Sequence, residues 1–251
     1  MRIYANTYQL MSEIFREIWE MGHLVHPKSM QNKDVSQDDN FETKEIINYQ
    51  YCLESRDDED FLFLFDKRSQ QWVKEEFKER IHSFPNKYYE YVSFSVNPGE
   101  AYKIREELWV PFLVDGKFDY TYSERLSRFD TLYRVIEEIK KNPDSRQLIL
   151  SIWDKSDICN IGGKKRIPCS VYYQILIRGE QLHIVYNQRS ADVVAHLGND
   201  VWLAWELGKF IAEKTGYQMG YLYHNITSLH CYKKDWDILL NGISLLGKGI
   251  I

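Results

Sequence analysis

The sequence predicts an α+β fold, with long helices packed on one side of a mostly antiparallel but mixed sheet. Stretches of alternating or continuous apolar residues at strand length are interleaved with segments whose apolar residues recur at helical spacing. Two of the strands meet at a short glycine-containing turn, the mark of an antiparallel hairpin. No Pro/Gly/Ser-rich linker divides the 251 residues, so one domain over residues 1–251 is expected.

In order, Tyr8, Met11, Ile14, Phe15, Ile18 and Trp19 predict an opening helix that Gly22 stops. The polar stretch His26 to Glu42 reads either as a solvated loop or as a loop that touches a ligand phosphate. Glu45 to Cys52 alternates as a strand through Ile46, Ile47, Tyr49 and Tyr51. Helices are predicted over 70–82 and 124–141, the second through Leu126, Phe129, Leu132, Tyr133, Ile136 and Ile139, with Asn142-Pro143-Asp144 as its stop. Gln147 to Trp153 reads as a strand. Pro168 to Ile177 and Leu182 to Gln188 read as two more, joined at Arg178-Gly179-Glu180. Trp202 to Lys214 is predicted as a helix closed by Gly216, and Tyr221 to Tyr232 as strand and turn.

Composition narrows the function. A hydrophobic fraction of 44% with 15% aromatic residues is ample for a core, and a net charge of −5 argues against nucleic acid as the main partner. No apolar run is long enough to cross a membrane, and Met1-Arg2-Ile3-Tyr4 opens directly into folded-type sequence, so neither leader nor membrane anchor is expected. Cys52, Cys159, Cys169 and Cys231 lack the spacing of a zinc site or redox pair and fit a reducing cytoplasm. His23 and His26 have no carboxylate or cysteine at matching spacing, so no metal is expected.

The chemistry concentrates in short runs. Ile167-Pro168-Cys169-Ser170 sets a thiol in a strand, where a cysteine is most often a small apolar filler. Asn187-Gln188-Arg189-Ser190-Ala191-Asp192 follows a hairpin's length later and adds a cation that lowers a thiol pKa and can hold an anion. Asn199-Asp200 comes next; an Asp ahead of a helix is ordinarily an N-cap. Ser228-Leu229-His230-Cys231-Tyr232 completes the series, and His-x-Tyr alone in an aromatic strand is ordinarily core packing.

This order, Pro-Cys, Gln-Arg-Ser-x-Asp, Asn-Asp and His-x-Tyr, resembles the thymidylate synthase superfamily, and within it the pyrimidine-nucleotide hydroxymethylases. The likeness is strong from about Tyr122 to Trp236 and thin before it. It implies a thymidylate synthase-like fold that dimerises through the sheet face. It further implies that Cys169 adds to C6 of a pyrimidine nucleotide and turns C5 into a carbanion equivalent that takes a one-carbon unit from methylenetetrahydrofolate. By the same resemblance Gln188, Arg189 and Ser190 bind substrate, the last two through the 5′-phosphate. His230 and Tyr232 meet the ribose, and Asp192 meets the folate ring. Tyr122 lies in the catalytic pocket, and Arg146 reaches the partner subunit's phosphate site. Glu76 matches the glutamate that organises proton transfer, with Glu75 as the competing register. Departures are visible: Ser170 replaces the histidine after the cysteine, Gln147 stands where many members carry a second arginine, and the Arg-Thr-Gly of the N-terminal phosphate loop is missing.

Asp200 stands where uracil-using members carry Asn. A carboxyl group suits the cytosine edge, accepting from N4 and, when protonated, donating to N3. The expectation is therefore a homodimeric, folate-dependent 5-hydroxymethylase of a cytidine monophosphate, dCMP ahead of CMP, whose intermediate is quenched by water. Methylation or hydroxymethylation of dUMP and a catalytically silent nucleotide-binding protein are the alternatives.

Overall fold

The computed structural model describes residues 1–31, 33–64, 70–81, 119–162 and 165–247. Its centre is a seven-stranded mixed sheet in the order β1-β5-β9-β8-β7-β6, with β2 added beside β5. The strands are β1 (Arg2–Tyr4), β2 (His23–Val25), β5 (Thr43–Leu53), β6 (Ile149–Ser151), β7 (Ser170–Arg178), β8 (Gln181–Asp192) and β9 (Gln218–Tyr232); β3 (Ser29–Met30) and β4 (Lys33–Asp34) form a separate hairpin. The β1–β5 and β8–β9 pairs are parallel and the remaining pairs antiparallel, as the mixed-sheet reading requires. Gly179, with φ 59°, makes the turn between β7 and β8.

Helix α1 (Thr7–Met21) is capped by Asn6, whose side chain accepts from the Gln9 backbone, and it buries Leu10, Met11, Ile14, Phe15 and Ile18 in the core. Helices α2 (Gln70–Ile81), α3 (Tyr122–Ser127), α4 (Thr131–Lys141), α5 (Leu197–Thr215) and α6 (Trp236–Gly247) complete the set. Across the core-facing side of the sheet runs a buried aromatic row, Tyr51, His224, Tyr186 and Tyr173, one residue from each of β5, β9, β8 and β7 in register. Tyr186 stacks on Tyr173 at 4.5 Å on one side and on the His224 ring at 4.4 Å on the other.

The structure corrects several boundaries. The single helix expected over 124–141 is two helices, broken at Arg128–Asp130, where Phe129 and Asp130 take φ of 56° and 57°. Phe129, counted on the apolar face by its spacing, is instead 76% exposed at the break. The break is held from outside: Arg125 forms a buried bidentate pair with Asp157, and Arg128 pairs with Asp154 at 2.7 Å. The strand expected over Gln147 to Trp153 pairs only through Ile149–Ser151, and the strand and turn expected at Tyr221 to Tyr232 is one continuous strand from Gln218.

The correction with most consequence is at α5, which begins at Leu197, five residues before the predicted start, with His196 as its N-cap. Asp200 therefore lies inside the first helical turn and does not cap it. Gly198 permits this seat: a Cβ there would stand 2.0 Å from the Leu62 carbonyl oxygen, so only glycine lets α5 begin against that segment.

Candidate active site

The β7–β8 pairing builds the middle of the candidate site. A register shift lies between Ser170 and Tyr172, directly after Cys169, and the Arg189 backbone N–H donates to the Cys169 carbonyl at 2.8 Å. A bulge at this point bends the strand and re-aims its side chains. The Arg189 guanidinium consequently turns onto the same end of the strand pair, donating from Nε to the Pro168 carbonyl at 2.8 Å and from Nη2 to the Ile167 carbonyl at 3.2 Å. Its Nη2 stands 3.7 Å from Cys169 Sγ.

The half-buried thiol feels two opposed effects. Burial pushes its pKa up, and the Arg189 charge, with Arg166 behind it, pulls it down; burial prevails, helped by the Asp200 and Asp192 carboxylates. Cys169 differs in this from Cys231 and Cys52, buried thiols pushed further up by neighbouring carboxylates, Asp192 and Asp235 for the first and Glu54 for the second, and from Cys159, which is exposed.

Above the thiol lies a residue the sequence reading did not find. Gln31, at φ 55° in the turn of the β3–β4 hairpin, places its Nε2 3.9 Å from Cys169 Sγ and accepts from the Ile167 backbone through Oε1. The polar stretch His26 to Glu42 thus touches the site at Gln31. Only its position 138 residues from Cys169 kept it hidden, since nothing local marks it.

Asp200 is brought to the same centre from α5. Gln188 donates from Nε2 to Asp200 Oδ2 at 2.6 Å, and the charge of Asp200 is among those felt by Cys169. Asn199 beside it is buried at 2% exposure. On the far side, Ser170 donates to the Tyr122 hydroxyl at 3.3 Å and shares a hydrogen bond with Tyr186. The Arg80 guanidinium lies over the Tyr122 ring at 4.1 Å and pairs with Glu76 at 2.5 Å. Glu76 therefore faces the Tyr122 side of α2, whereas Glu75 pairs with the exposed Lys78. Arg80 is a second residue that the sequence reading missed.

Asp192 is 7% exposed and accepts through Oδ1 from the Val194 and Ala195 backbones at 3.1 Å each, so it shapes the turn into α5. His230 is paired across β8–β9 with Asp192 and across β5–β9 with Glu45; its ring packs edge-on to Tyr232 at 5.0 Å, and its Nδ1 lies 3.5 Å from the Ser228 hydroxyl. Ser190 sits opposite Ser228. Arg146 is exposed, and its backbone carbonyl accepts from Gln174; the structure does not bring its side chain to Cys169. Among the described residues no cluster of three His, Cys, Asp or Glu side chains could hold a metal ion, and no helix is long and apolar enough to cross a membrane.

The centre thus gathers a half-buried thiol, an arginine 3.7 Å from its sulfur, a helix-borne carboxyl held by Gln188 and an aromatic hydroxyl bonded to Ser170. A family model described as thymidylate synthase matches residues 56–244, most of the chain and all of this centre except Gln31. The chain belongs to the thymidylate synthase family. Among its curated relatives, a thymidylate synthase of Fusobacterium nucleatum is 25% identical over 80% of this chain and 70% of its own length. A putative thymidylate synthase of Methanosarcina mazei is 28% identical over 55% of this chain and 65% of its own. A thymidylate synthase of Mycoplasma mobile is 30% identical over 47% of this chain and 41% of its own. The thermostable thymidylate synthase A from Bacillus subtilis shares the fold, with a TM-score of 0.73 at 19% identity over 96% of this chain and 84% of that one.

Proposed function

We propose that this member of the thymidylate synthase family hydroxymethylates a cytidine monophosphate, dCMP ahead of CMP, with methylenetetrahydrofolate as the one-carbon donor. The observation that carries the base assignment is the Asp200 carboxyl, anchored by Gln188 beside the Cys169 thiol. Placed against a pyrimidine edge it accepts from the cytosine N4–H and exchanges a proton with N3, whereas a uracil edge would leave a buried acceptor facing O4. An unsatisfied buried group of that kind costs about 1–3 kcal/mol, or roughly one to two decades of discrimination.

In this reading Cys169 adds as thiolate to C6, and Arg189 leaves its carbonyl partners for the 5′-phosphate, which its planar fork suits better. The negative charge that follows addition spreads over the ring to N3, where Asp200 supplies or shares the proton. The C5 proton leaves after the one-carbon unit has joined, and the linked Glu76, Arg80 and Tyr122 side chains, tied to Ser170 beside Cys169, support the reading that Glu76 organises its transfer. Tetrahydrofolate then departs as its C–N bond to the transferred carbon breaks, water adds to the exocyclic methylene so formed and gives up a proton, and the electron pair returning to the ring expels the Cys169 thiolate from C6. The folate supplies carbon at the formaldehyde level, and the acceptor chemistry of Asp192 fits a pterin's adjacent N–H donors. Gln188, Ser190, His230 and Tyr232 line the nucleotide, and Arg146 serves the site of a partner copy in a homodimer formed through the open sheet face.

The relatives' names favour a second reading, methylation of dUMP, in which hydride replaces water. The mass of the product made by purified protein from dCMP, CMP or dUMP with methylenetetrahydrofolate separates the two. A hydroxymethylated cytidylate is expected. A methylated uridylate as the product overturns the proposal, and no product from any of the three favours a silent nucleotide-binding protein.

A further inference from the structure

Behind Asp200 a buried polar row runs from Gln188 to His224 and Tyr51, and the last two take no part in the steps above. Gln188 donates from Nε2 to Asp200 Oδ2 at 2.6 Å, His224 Nε2 lies 2.9 Å from Gln188 Oε1, and the Tyr51 hydroxyl lies 2.8 Å from His224 Nδ1. Gln188 is 2% exposed, and His224 and Tyr51 are fully buried. The residues come from α5, β8, β9 and β5, so four elements must be assembled before the row exists.

Each bond in the row fixes the next. A carboxylate only accepts, so Gln188 must turn its NH2 to Asp200 and its oxygen to the imidazole. An amide oxygen only accepts, so His224 must carry its proton on Nε2. Burial drives the His224 pKa down to about 3, which keeps the ring neutral and leaves Nδ1 without a proton. Tyr51 must then donate. The His224 ring also stacks on Tyr186 at 4.4 Å, which supports the orientation that points Nε2 to Gln188 and Nδ1 to Tyr51.

We propose that Tyr51, His224 and Gln188 form a polarity lock that holds Gln188 as a donor to residue 200 and thereby sets which donor or acceptor residue 200 presents to the pyrimidine. His224 and Tyr51 act through Gln188 and are positioning residues, and the proposal rests on the reading that Asp200 meets the base. With Asp200 in place, the lock ties Oδ2 as an acceptor, so any proton on the carboxyl resides on Oδ1. With Asn at 200, the same lock draws the amide oxygen to Gln188 and turns its NH2 toward the base, where it donates to O4 of uracil. Without the lock both amides are free to flip, and an amide at 200 loses its preference.

The test compares Kd values for dCMP and dUMP by calorimetry in the parent, in Asp200→Asn, and in Asp200→Asn combined with His224→Phe or with Tyr51→Phe. Asp200→Asn should move the dCMP:dUMP ratio toward dUMP by about tenfold or more, and either second substitution should bring it back to within about threefold of unity. His224→Phe keeps the stack on Tyr186, and Tyr51→Phe removes a single oxygen, so the second variant serves if the first does not fold. A ratio that moves in Asp200→Asn and then ignores both second substitutions overturns the lock and leaves the base reading intact. A ratio that does not move in Asp200→Asn overturns the base reading, and the lock with it. Long-range 1H–15N spectra give an independent readout: His224 in the parent should be the neutral Nε2–H tautomer, becoming a mixture in Tyr51→Phe. An Nδ1–H tautomer in the parent also overturns the lock.

Discussion

The Arg189 guanidinium stands 3.7 Å from the Cys169 sulfur through Nη2, which also donates to the Ile167 carbonyl, while Nε donates to the Pro168 carbonyl. One arginine thus closes the strand pair and partly offsets the burial that raises the thiol pKa. Removing it should raise that pKa further, because the folded thiol keeps the burial and loses its main opposing charge. In a Cys159→Ser background, which removes the exposed thiol, Arg189→Leu should slow iodoacetamide alkylation of Cys169 several-fold at neutral pH and shift the pH–rate midpoint upward. A midpoint that stays in place means that Arg189 does not tune the thiol.

Cys169→Ser should abolish turnover and leave nucleotide binding measurable. A serine hydroxyl, ionising far less readily than a thiol, cannot replace a thiolate in adding to C6. Calorimetry with the nucleotide and a single-turnover assay check the two halves separately. Turnover within about tenfold of the parent would exclude covalent catalysis at this position.

Arg146 is exposed in the single chain, as a residue that serves another subunit would be. Mixing inactive Arg146→Ala and inactive Cys169→Ser chains should therefore restore activity, since one of the two sites in each heterodimer would contain both intact residues. If heterodimers form, as mass spectrometry can show, and no activity returns, the shared site is refuted.

Stability turns on the Arg125–Asp157 pair, whose side chains are 6% and 3% exposed and bonded at 2.9 and 3.0 Å. Arg125→Ala strands a buried carboxylate and should cost about 3–5 kcal/mol in urea unfolding, while Arg125→Met with Asp157→Leu should cost much less. Equal losses in the two variants would mean that the pair contributes chiefly through packing of the α3–α4 break.

Local chemistry made part of this protein legible without coordinates. The period of α1, the hairpin at Gly179, the stop at Asn142 and the left-handed Gly216 all follow from residues adjacent in sequence, and all stand where the spacing put them. Cys169 and Arg189 were legible for the same reason, since a hairpin with a short turn fixes which residues of its strands meet. The start of α5 was not, because Asn199 and Asp200 are themselves favoured cap residues and point to a later start, whereas the helix begins at Leu197 with Gly198 set close against the Leu62 backbone. Asp200 was consequently weighed as a cap, and its bond to Gln188 displaces that role.

The sequence by itself determined the element types, the order of the reactive motifs and the family they belong to, because periodicity and short-range pairing are properties of neighbouring residues. Only the tertiary structure decided what surrounds the thiol and the carboxyl. Gln31 reaches Cys169 across 138 positions, and Tyr51 meets His224 across 173. Neither has a local signature, since a buried polar group finds its partner through the sheet register and helix packing, which bring distant residues together only after the whole core has assembled.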